Sequence, residues 1–495
     1  MSPRTQPIAA APAVEMAALV DALLEGRLTE AQAKLLAAAG EEAVLLALMA
    51  ANARIAALRR PAAPTPSTPS GMVPPYQKPP APRRKKKPGA KQGHPGARRA
   101  APAKIDRREE HRLAVCPCCG GGLRRCNRTR TRLVEDVPEK IEPVVTEHTI
   151  HRDYCPACDK HVEPVAPDAM PNAALGHRVV ALGAWFHYGL GVTLSQVQQI
   201  LSGHLNTEVT AGGLLDASAR MAAALLPWYE QVGEELRASA CLHADETGWR
   251  VDGRTHWLWC FCDPAGTGCF YMIDRSRGSD ALRKFFAEVF DGTLVHDFWA
   301  AYESAWVEDH QYCLPHLLRE LLKVDDRKGA EGTDGSAEYH EWAAFSKQLK
   351  RLVRDGLRLR KRPDYSRERY RSRIGCIYRR LDALAGATYA DPDARRLAKR
   401  LRKHRDHLFT FLDLPGVPPD NNHGERQIRP AVIMRKNIQG NRSPAGAQVQ
   451  AILMSIFRTL KLRGHDPTKT IAAALREMLQ TGKLPPLPAP TAAGG

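Results

Sequence analysis

Two aspartates stand at the ends of short apolar runs, where a carboxylate can take part in chemistry. Asp245 follows the run ACLHA, and Asp297 follows the run GTLVH. Two neighbouring strands that end in this way would place both carboxylates at one edge of a sheet, where like charges raise each other's pKa unless a cation lies between them. Mg²⁺ prefers oxygen ligands and keeps several waters, and a pair of such ions can support in-line displacement at phosphorus. The pattern therefore predicts a magnesium site for phosphodiester chemistry.

A third carboxylate, Glu425, lies far downstream in the segment DNNHGERQIRP, residues 420–430. Structural roles for these acidic residues are also open at this point. An aspartate at the end of a strand is commonly a turn or cap residue, and Asn422 with Glu425 could cap the helix that follows. Glu246 competes with Asp245 as the first ligand, although side chains alternate along a strand and Glu246 would then point to the opposite face.

Two CxxC pairs indicate a second kind of metal site. This spacing lets two thiolates of one turn hold a tetrahedral ion. The chain has 12 cysteines among 495 residues and starts with no recognisable secretory signal, which favours metal binding over disulfides. The expected four-thiolate zinc site consists of Cys116, Cys119, Cys155 and Cys158. Its closed shell would stabilise a small fold and perform no chemistry.

The ligand set of this zinc site leaves alternatives. Cys118 is a spare thiol in the first pair, and Cys126 and His161 are near enough to replace a ligand. The 35 residues between the pairs have the pattern of a β-hairpin that would bring the pairs together. Chance clustering of buried cysteines and a redox pair are the competing interpretations.

The charge distribution points to nucleic acid as a partner. Lys and Arg number 72 against 54 Asp and Glu, a net charge of +18, and such an excess commonly serves a polyanion. Nine prolines in residues 61–82 predict an extended linker, and the basic arm that follows has no apolar face. Residues 347–406 hold 21 basic and seven acidic residues, which predicts phosphate contact or a solvated helical face. The candidates for DNA contact are Arg83, Arg84, Lys85, Lys86, Lys87, Arg426, Arg429 and Lys436.

The overall pattern predicts a multidomain α+β protein. No apolar run is long enough to span a membrane, so we expect a cytoplasmic protein. The expected segments are N-terminal helices (1–60), a proline-rich linker with the basic arm (61–110), a small zinc-binding β module (111–168), a helical DNA-binding region (169–238), an α/β catalytic domain (239–480) with a helical insertion (325–415), and a disordered tail (481–495).

Capping-box spacings mark the starts of two helices. Thr29 with Gln32 opens a helix near the N-terminus, and Thr193 with Gln196 opens one that should end near residue 203. A further helix could start near Thr210. Two short helices with a turn between them resemble a helix-turn-helix, although ordinary helical packing explains them equally well.

Three segments, HADETGWRVDG, VHDFWAAY and NNHGERQIRP, occur in this order. They resemble the catalytic signatures of the IS66 family of transposases. The segment GAKQGHPG of the arm, the two CxxC pairs and LKLRGHDPTKTIAAALREML near the C-terminus resemble the same family. Gly424, where alanine is frequent in the family, and Phe298-Trp299 after the second aspartate depart from the common pattern. Neither change removes a carboxylate.

The resemblance implies an RNase H-like catalytic domain with a DDE triad, carried here by Asp245, Asp297 and Glu425. In this family type the two aspartates lie on strands of a mixed sheet and the glutamate lies on a later helix. Cys313 and His316 also resemble a family motif near the second aspartate. No role is assigned to that motif, and a buried structural histidine is the simpler interpretation.

The activity implied is that of a bacterial insertion-sequence transposase, associated with the nucleoid. Such an enzyme would bind the terminal inverted repeats of the mobile element, use Mg²⁺ or Mn²⁺ to hydrolyse a phosphodiester, and transfer the freed strand into target DNA. A homo-oligomer on DNA and accessory proteins of the same element are further expected partners. The alternatives are an RNase H-like nuclease without strand transfer and a non-catalytic zinc DNA-binding regulator.

Overall fold

The computed structural model describes residues 29–59, 102–124, 130–330 and 337–491, together with residues 19, 22 and 23. The chain forms two compact units, Met1–Ala81 and Pro82–Gly495. Some of the residues predicted to contact DNA or zinc lie outside the described residues, namely Arg83, Arg84, Lys85, Lys86, Lys87 and Cys126.

The described residues of the N-terminal unit include the helices α1 (Glu30–Ala38) and α2 (Glu41–Arg59). Thr29 caps α1, and its side chain and that of Gln32 form the reciprocal capping box that their spacing predicts. Leu36 and Ala47 lie in a small core between these helices. Leu19 and Leu23 belong to the same cluster of described residues.

The segment that carries the cysteine pairs has little regular structure. Its strands β1 (Asp153–Cys155) and β2 (Lys160–Val162) form a short antiparallel hairpin around the second CxxC pair. The longer hairpin predicted between the pairs is wrong, because residues 130–152 contain no strand. Apolar side chains of this stretch, such as Val144 and Val145, are 93% and 88% exposed. They have no apolar partner that would stabilise a sheet.

A helical region follows, made of α3 (His177–Ala184), one π-helical turn (Trp185–Gly189), α4 (Leu194–Leu205), α5 (Ala211–Ala224) and α6 (Leu226–Arg237). The capping box of Thr193 and Gln196 forms at the start of α4, as predicted. The N–H of Gly213 donates to the Thr210 side chain at the start of α5. Helices α4 and α5 pack through a small apolar cluster, so two short helices joined by a turn are present.

The centre of the larger unit is a mixed five-stranded sheet with the order β5-β4-β3-β6-β7. Its strands are β3 (Cys241–Val251), β4 (Arg254–Cys262), β5 (Cys269–Asp274), β6 (Phe290–His296) and β7 (Val307–Tyr312). Strands β3, β6 and β7 are parallel to one another, whereas β4 is antiparallel to β3 and to β5. Helix α7 (Ser279–Phe286) connects β5 to β6, and helix α8 (Ala300–Glu303) connects β6 to β7.

Three C-terminal helices, α14 (Asn422–Ile438), α15 (Pro444–Leu462) and α16 (Pro467–Thr481), complete the main core. Helix α15 covers the outer strand β5. The N–H groups of Cys269 and Tyr271 donate to the hydroxyls of Thr459 and Ser455, at 3.1 and 2.8 Å. These buried hydroxyls satisfy donors of a sheet edge that would otherwise be open to pairing with another chain.

A helical insertion between β7 and α14 packs around a second hydrophobic core, to which Cys241, Val295 and Tyr312 of the sheet also contribute. Its helices are α9 (Leu314–Ala330), α10 (Ala337–Arg360), α11 (Arg371–Gly386), α12 (Pro392–Lys403) and α13 (Thr410–Asp413), with one 3₁₀ turn at Arg405–His407. Trp342 and Phe345 of α10 and Leu381 of α11 are buried in this core. The insertion therefore forms a layer of helices that packs next to β7.

The end of the chain differs from the disordered tail that the sequence predicts. The Trp228 side chain donates to the Pro485 carbonyl at 2.7 Å, Leu487 is buried, and Arg463 donates to the Pro488 carbonyl at 2.8 Å. Prolines limit the number of conformations that this segment loses when it docks, so the extended chain packs on α6 and α15 as far as Thr491. No helix in the described ranges combines the length and apolar character needed to cross a bilayer.

Candidate catalytic carboxylate site

The parallel strands β3 and β6 place two aspartates side by side. In the register of this pair His243 lies opposite Val295, and Asp245 and Asp297 each follow two residues later. Parallel strands end at the same edge of a sheet, so the two carboxylates emerge together at the C-terminal edge of β6. Asp245 accepts a hydrogen bond from the N–H of Glu246 (2.9 Å), and Asp297 accepts one from the N–H of Trp299 (2.8 Å). Both side chains are partly buried.

Burial and neighbouring negative charge raise the pKa of both aspartates. For Asp297, burial followed by the charge of Glu246 raises the pKa to about 7, against the opposing effects of the Trp299 N–H and the Arg277 guanidinium. For Asp245, burial raises the pKa well above the usual range, with further contributions from the charges of Glu246 and Asp297. The site thus places several carboxylates where they cannot all be ionised without a compensating cation.

Glu425 lies in the first turn of α14, but in the part of the chain that the structure describes the ligand atoms of Asp245, Asp297 and Glu425 do not all lie within 4.8 Å of one another. The charge of Glu425 contributes to the raised pKa of both Asp245 and Asp297. Helix α14 approaches β3 closely at Gly424, where an added Cβ would lie 3.2 Å from the Cβ of His243 on β3 and 2.7 Å from the Asn421 Oδ1 atom. The absence of a side chain at this position permits the approach that brings Glu425 to the aspartates.

The interpretation of Asn422 and Glu425 as a capping pair is wrong. The N-cap of α14 is Asn421, and no side chain makes a capping hydrogen bond there. The Glu425 carboxylate instead lies 3.2 Å from the Arg319 guanidinium and 3.7 Å from His316 Nε2, both on α9. Glu425 is thus directed towards the start of the insertion.

Asn421 joins the strand and the helix that carry the triad. Its side-chain amide donates to the Ala244 carbonyl at 2.8 Å, and its Oδ1 lies 2.8 Å from His243 Nδ1. Burial lowers the pKa of His243 to about 4, so this ring is neutral at neutral pH. Asn421 itself is 1% exposed. These two bonds fix the start of α14 against the two residues that precede Asp245.

Cys313 and His316 also lie at this junction, which gives their motif a location. The N–H of Asn421 donates to Cys313 Sγ at 3.2 Å. The ligand atoms of Cys313, His316 and Glu425 lie within 4.8 Å of one another. His316 is partly exposed, yet its Nδ1 atom is buried and has no hydrogen-bond partner among the described residues. The pair therefore contacts the third carboxylate, and His316 is not the buried structural residue expected from the sequence.

Glu246 does not compete with Asp245, because other side chains already bind it. It accepts hydrogen bonds from the Arg277 guanidinium, at 2.8 and 3.1 Å, and from the Tyr302 hydroxyl at 2.6 Å. The guanidinium is stacked against the ring of Trp299, with 3.8 Å between its carbon and the ring centroid. The side chains of Arg277 and Glu246 are only 15% and 4% exposed. Sequence reasoning missed Arg277 and Tyr302, whose roles depend on contacts between distant segments.

The donor set fits a hard divalent cation. Asp245, Asp297 and Glu425 offer only oxygen atoms, which Mg²⁺ and Mn²⁺ prefer. Among the described residues, no Lys or Arg forms an ion pair with Asp245 or Asp297, although Arg319 pairs with Glu425. Two partly buried carboxylates with raised pKa, which form no ion pair with a described basic side chain, make a site that a cation would stabilise.

Comparison with protein families matches residues 173–449 to the family described as transposase IS66. The matched region includes all three carboxylates. The chain belongs to the IS66 transposase family.

This transposase-family chain is also similar to curated proteins of Sinorhizobium fredii that are described as uncharacterized. The protein y4jD is 26% identical over 402 residues, which cover 74% of this chain and 75% of y4jD. The protein y4hP is 21% identical over 394 residues, 73% of this chain and 70% of y4hP. The likeness thus extends beyond the residues of the family match.

Other residues predicted to bind DNA lie on the exposed side of α14 in this IS66-family chain. Arg426, Arg429 and Lys436 are all exposed, and Ile433 lies between them on the same face. Spacings of three and four residues along a helix give one continuous stripe. The stripe begins one residue after Glu425, so basic side chains extend away from the carboxylates along α14.

The structure does not bring the four predicted zinc ligands together. Among the described residues, Cys116, Cys119, Cys155 and Cys158 do not converge on one another as a metal site would require. Each pair nevertheless has a turn suited to a thiolate: N–H groups of Cys118 and Cys119 lower the pKa of Cys116, and the N–H of Cys158 lowers that of Cys155. Zinc binding stays a prediction.

Proposed function

We propose that this chain is a DDE-type DNA transposase that cleaves and joins DNA strands at the ends of an insertion sequence. The observation that carries the proposal is the parallel pairing of β3 and β6, which sets Asp245 beside Asp297, together with Glu425 on the helix α14 that packs against β3. A structural role would not require them to share one partly buried site, because uncompensated like charges destabilise a fold.

The topology of the sheet supports this proposal. Numbered within the sheet alone, the strand order is 3-2-1-4-5, with only the second strand antiparallel to its neighbours. We propose that this is an RNase H-like sheet. Its first and fourth strands, β3 and β6, are the adjacent pair that carry Asp245 and Asp297.

Asp245, Asp297 and Glu425 would hold two Mg²⁺ or Mn²⁺ ions. Such ions activate an attacking oxygen and stabilise the leaving oxygen in an in-line displacement at phosphorus. The chain's own residues orient the carboxylates: Trp299 donates to Asp297, and Asn421 fixes the start of the helix that carries Glu425. Electrostatic and positional organisation is the main contribution that a protein makes to phosphoryl transfer.

DNA is the substrate in this proposal. The stripe Arg426, Arg429 and Lys436 extends from the carboxylate site, and a duplex backbone carries regularly spaced negative charge along its length. The chain would bind the terminal inverted repeats of its element and then target DNA, acting as a homo-oligomer because two ends must be joined. The basic arm, a zinc-bound cysteine module and the helices α4 and α5 are candidates for further end contacts.

In vitro strand transfer tests the proposal directly. Purified protein is incubated with DNA that carries the inverted repeats flanking its own gene, a supercoiled target plasmid and Mg²⁺. Joined products are expected from the wild type and not from Asp297→Asn or Glu425→Gln. Glu303→Gln is a matched control, since this carboxylate pairs with Lys403 in the insertion and lies outside the triad.

The products also separate the alternatives. Cleavage without joining, lost in Asp297→Asn, would indicate an RNase H-like nuclease. Specific end binding with no Mg²⁺-dependent cleavage, unchanged in Asp245→Asn, would indicate a non-catalytic zinc DNA-binding regulator. Either result would refute the proposed transposase.

A further inference from the structure

The helical insertion contains a long basic groove along α10. Two adjoining cavities of about 560 and 320 Å³ share Asp355 and Arg358 in their linings. Together they form what we call the insertion groove, which is bounded by α9, α10 and α11. Nine Lys and Arg side chains and two Asp side chains line it. None of the three triad carboxylates does.

We propose that the insertion groove binds the phosphate backbone of duplex DNA, at a place separate from the catalytic carboxylates. The inference rests on the proposed transposase function, because it assigns a second surface to the same substrate. The experiment below is designed so that the two can fail independently.

The basic residues of the groove form a stripe on one face of α10. Lys347, Arg354 and Arg358 are exposed, and their spacings of seven and four residues place them on the same side of the helix. None of the three forms an ion pair within the described part of the chain. Their charges are therefore available to a ligand.

The two acidic residues of the groove are already satisfied. Asp325 accepts from the side chains of Trp342, Ser346 and Lys350. Asp355 accepts from Arg380 at 2.8 Å. These contacts hold α9 and α11 against α10, and so they build the walls of the groove. They do not neutralise the exposed stripe.

The length of the stripe favours an extended polyanion. Eleven residues separate Lys347 from Arg358, a rise of about 16 Å along a helix. One DNA strand carries a phosphate roughly every 3.4 Å along the duplex axis, so the stripe spans about five phosphates. A small anion would be too short to contact all three of these side chains. A duplex backbone can contact all three, which is why we assign the groove to DNA.

The test is the salt dependence of DNA binding by the full-length protein. Dissociation constants are measured by fluorescence anisotropy over a KCl series, for a duplex that carries the element end and for a scrambled duplex of equal length. The groove variant combines Lys347→Gln, Arg354→Gln and Arg358→Gln. The control variant combines Arg371→Gln, Lys399→Gln and Arg402→Gln, three exposed side chains of the insertion that do not line the groove.

Each lost phosphate contact lowers the slope of log K against log [KCl] by about 0.9. The groove variant should therefore lose about 2.7 from the wild-type slope, whereas the control variant should stay close to the wild type. The groove variant and the control variant must both melt at the wild-type temperature. If a triple variant melts lower, its three single substitutions are measured instead. If the slope falls for the element-end duplex alone, the groove binds the ends of the element. If it falls equally for both duplexes, the groove binds DNA of any sequence, including target DNA.

Equal changes in the groove and control variants would overturn the inference, since net charge alone would then explain binding. An unchanged salt slope in the groove variant would also overturn the inference. The same holds if the groove variant loses affinity for an acidic polypeptide competitor and keeps its affinity for DNA. If the wild type binds neither duplex, the proposed transposase function fails together with the groove.

Discussion

Asn421→Ala should disrupt the candidate carboxylate site without replacing any of its carboxylates. The substitution removes the donor to the Ala244 carbonyl and the acceptor for His243 Nδ1, both within hydrogen-bond distance and buried. The Asn421 backbone N–H would still donate to Cys313 Sγ. The start of α14 would thus lose its side-chain connection to β3 and keep its connection to α9.

The size of the effect follows from the groups left behind. A buried polar group without a partner costs about 1–3 kcal/mol, so the Ala244 carbonyl and the His243 Nδ1–H together cost about 2–6 kcal/mol. For a large domain each kcal/mol lowers the melting temperature by roughly 2–4 °C. We expect a decrease of about 4 °C or more. Strand transfer should fall by about 10²-fold if Glu425 moves by about 1 Å, because phosphoryl transfer depends on position.

Differential scanning fluorimetry and the strand-transfer assay measure the two effects. Asn422→Ala is the matched control, since its side chain forms no hydrogen bond with another described residue. Asn421→Asp keeps an acceptor for His243 but replaces the donor to Ala244 with a second acceptor and adds a buried charge, so it should destabilise the protein at least as much as Asn421→Ala. Equal melting temperatures and rates for Asn421→Ala and Asn422→Ala would refute the role assigned to Asn421.

Three further predictions concern the metal site, one turn and the cysteine module. Burial raises the pKa of Asp297 to about 7, so the metal-free native state holds a proton that the unfolded chain releases near pH 4, and the free energy of unfolding falls as pH rises between these values. Without Mg²⁺, Asp297→Asn should therefore melt at a higher temperature than the wild type above about pH 7. Added Mg²⁺ should stabilise the variant less than the wild type. Gly440 has φ +119° and an added Cβ would lie 2.2 Å from the Arg250 carbonyl, so Gly440→Ala should destabilise the protein by more than about 1 kcal/mol in urea unfolding. Elemental analysis should find one zinc per chain, and none in Cys119→Ser with Cys158→Ser.

Each of these predictions has a result that contradicts it. A wild type whose metal-free melting temperature rises between pH 4 and 7 relative to Asp297→Asn would reverse the sign expected for that carboxyl. Gly482→Ala is the control for the turn, because Gly482 also has a positive φ but nothing lies within 4 Å of an added Cβ there; equal losses would show that close approach at Gly440 is unimportant. Full zinc content in the double cysteine variant would exclude the predicted ligands.

The positions of Asp245 and Asp297 could be predicted because a local signal marks them. Each ends an apolar run of strand length, and a shift of one residue would move such a run to the wrong face of the sheet. The carboxylates emerge where the apolar runs stop, but the strand end predicted at Asp245 is wrong, because β3 continues to Val251. The capping boxes of α1 and α4 are equally local, and both form as their spacing predicts.

The contacts that organise the site could not be predicted in this way. Asn421 and Ala244 are separated by 177 residues, and Arg277 meets Glu246 across 31 residues. The periodic pattern of apolar residues in the sequence does not predict such long-range pairs. A sequence signal does exist for Asn421 and His316, since each belongs to a motif that resembles the family. The two motifs alone did not show that both residues contact the segment that carries Glu425.

The insertion explains how a triad can include a residue so far along the chain. Its entry and exit are joined at one point: the N–H of Leu314 donates to the Pro419 carbonyl at 3.2 Å, and the N–H of Asn421 donates to Cys313 Sγ. The insertion between them packs around the second hydrophobic core and closes as a large loop. Loop closure costs only slightly more as a loop lengthens, so the residues inside the insertion can vary widely while its two ends stay fixed. The geometry of Glu425 thus depends on this junction with β3 and α9, and the insertion is free to serve as a binding surface.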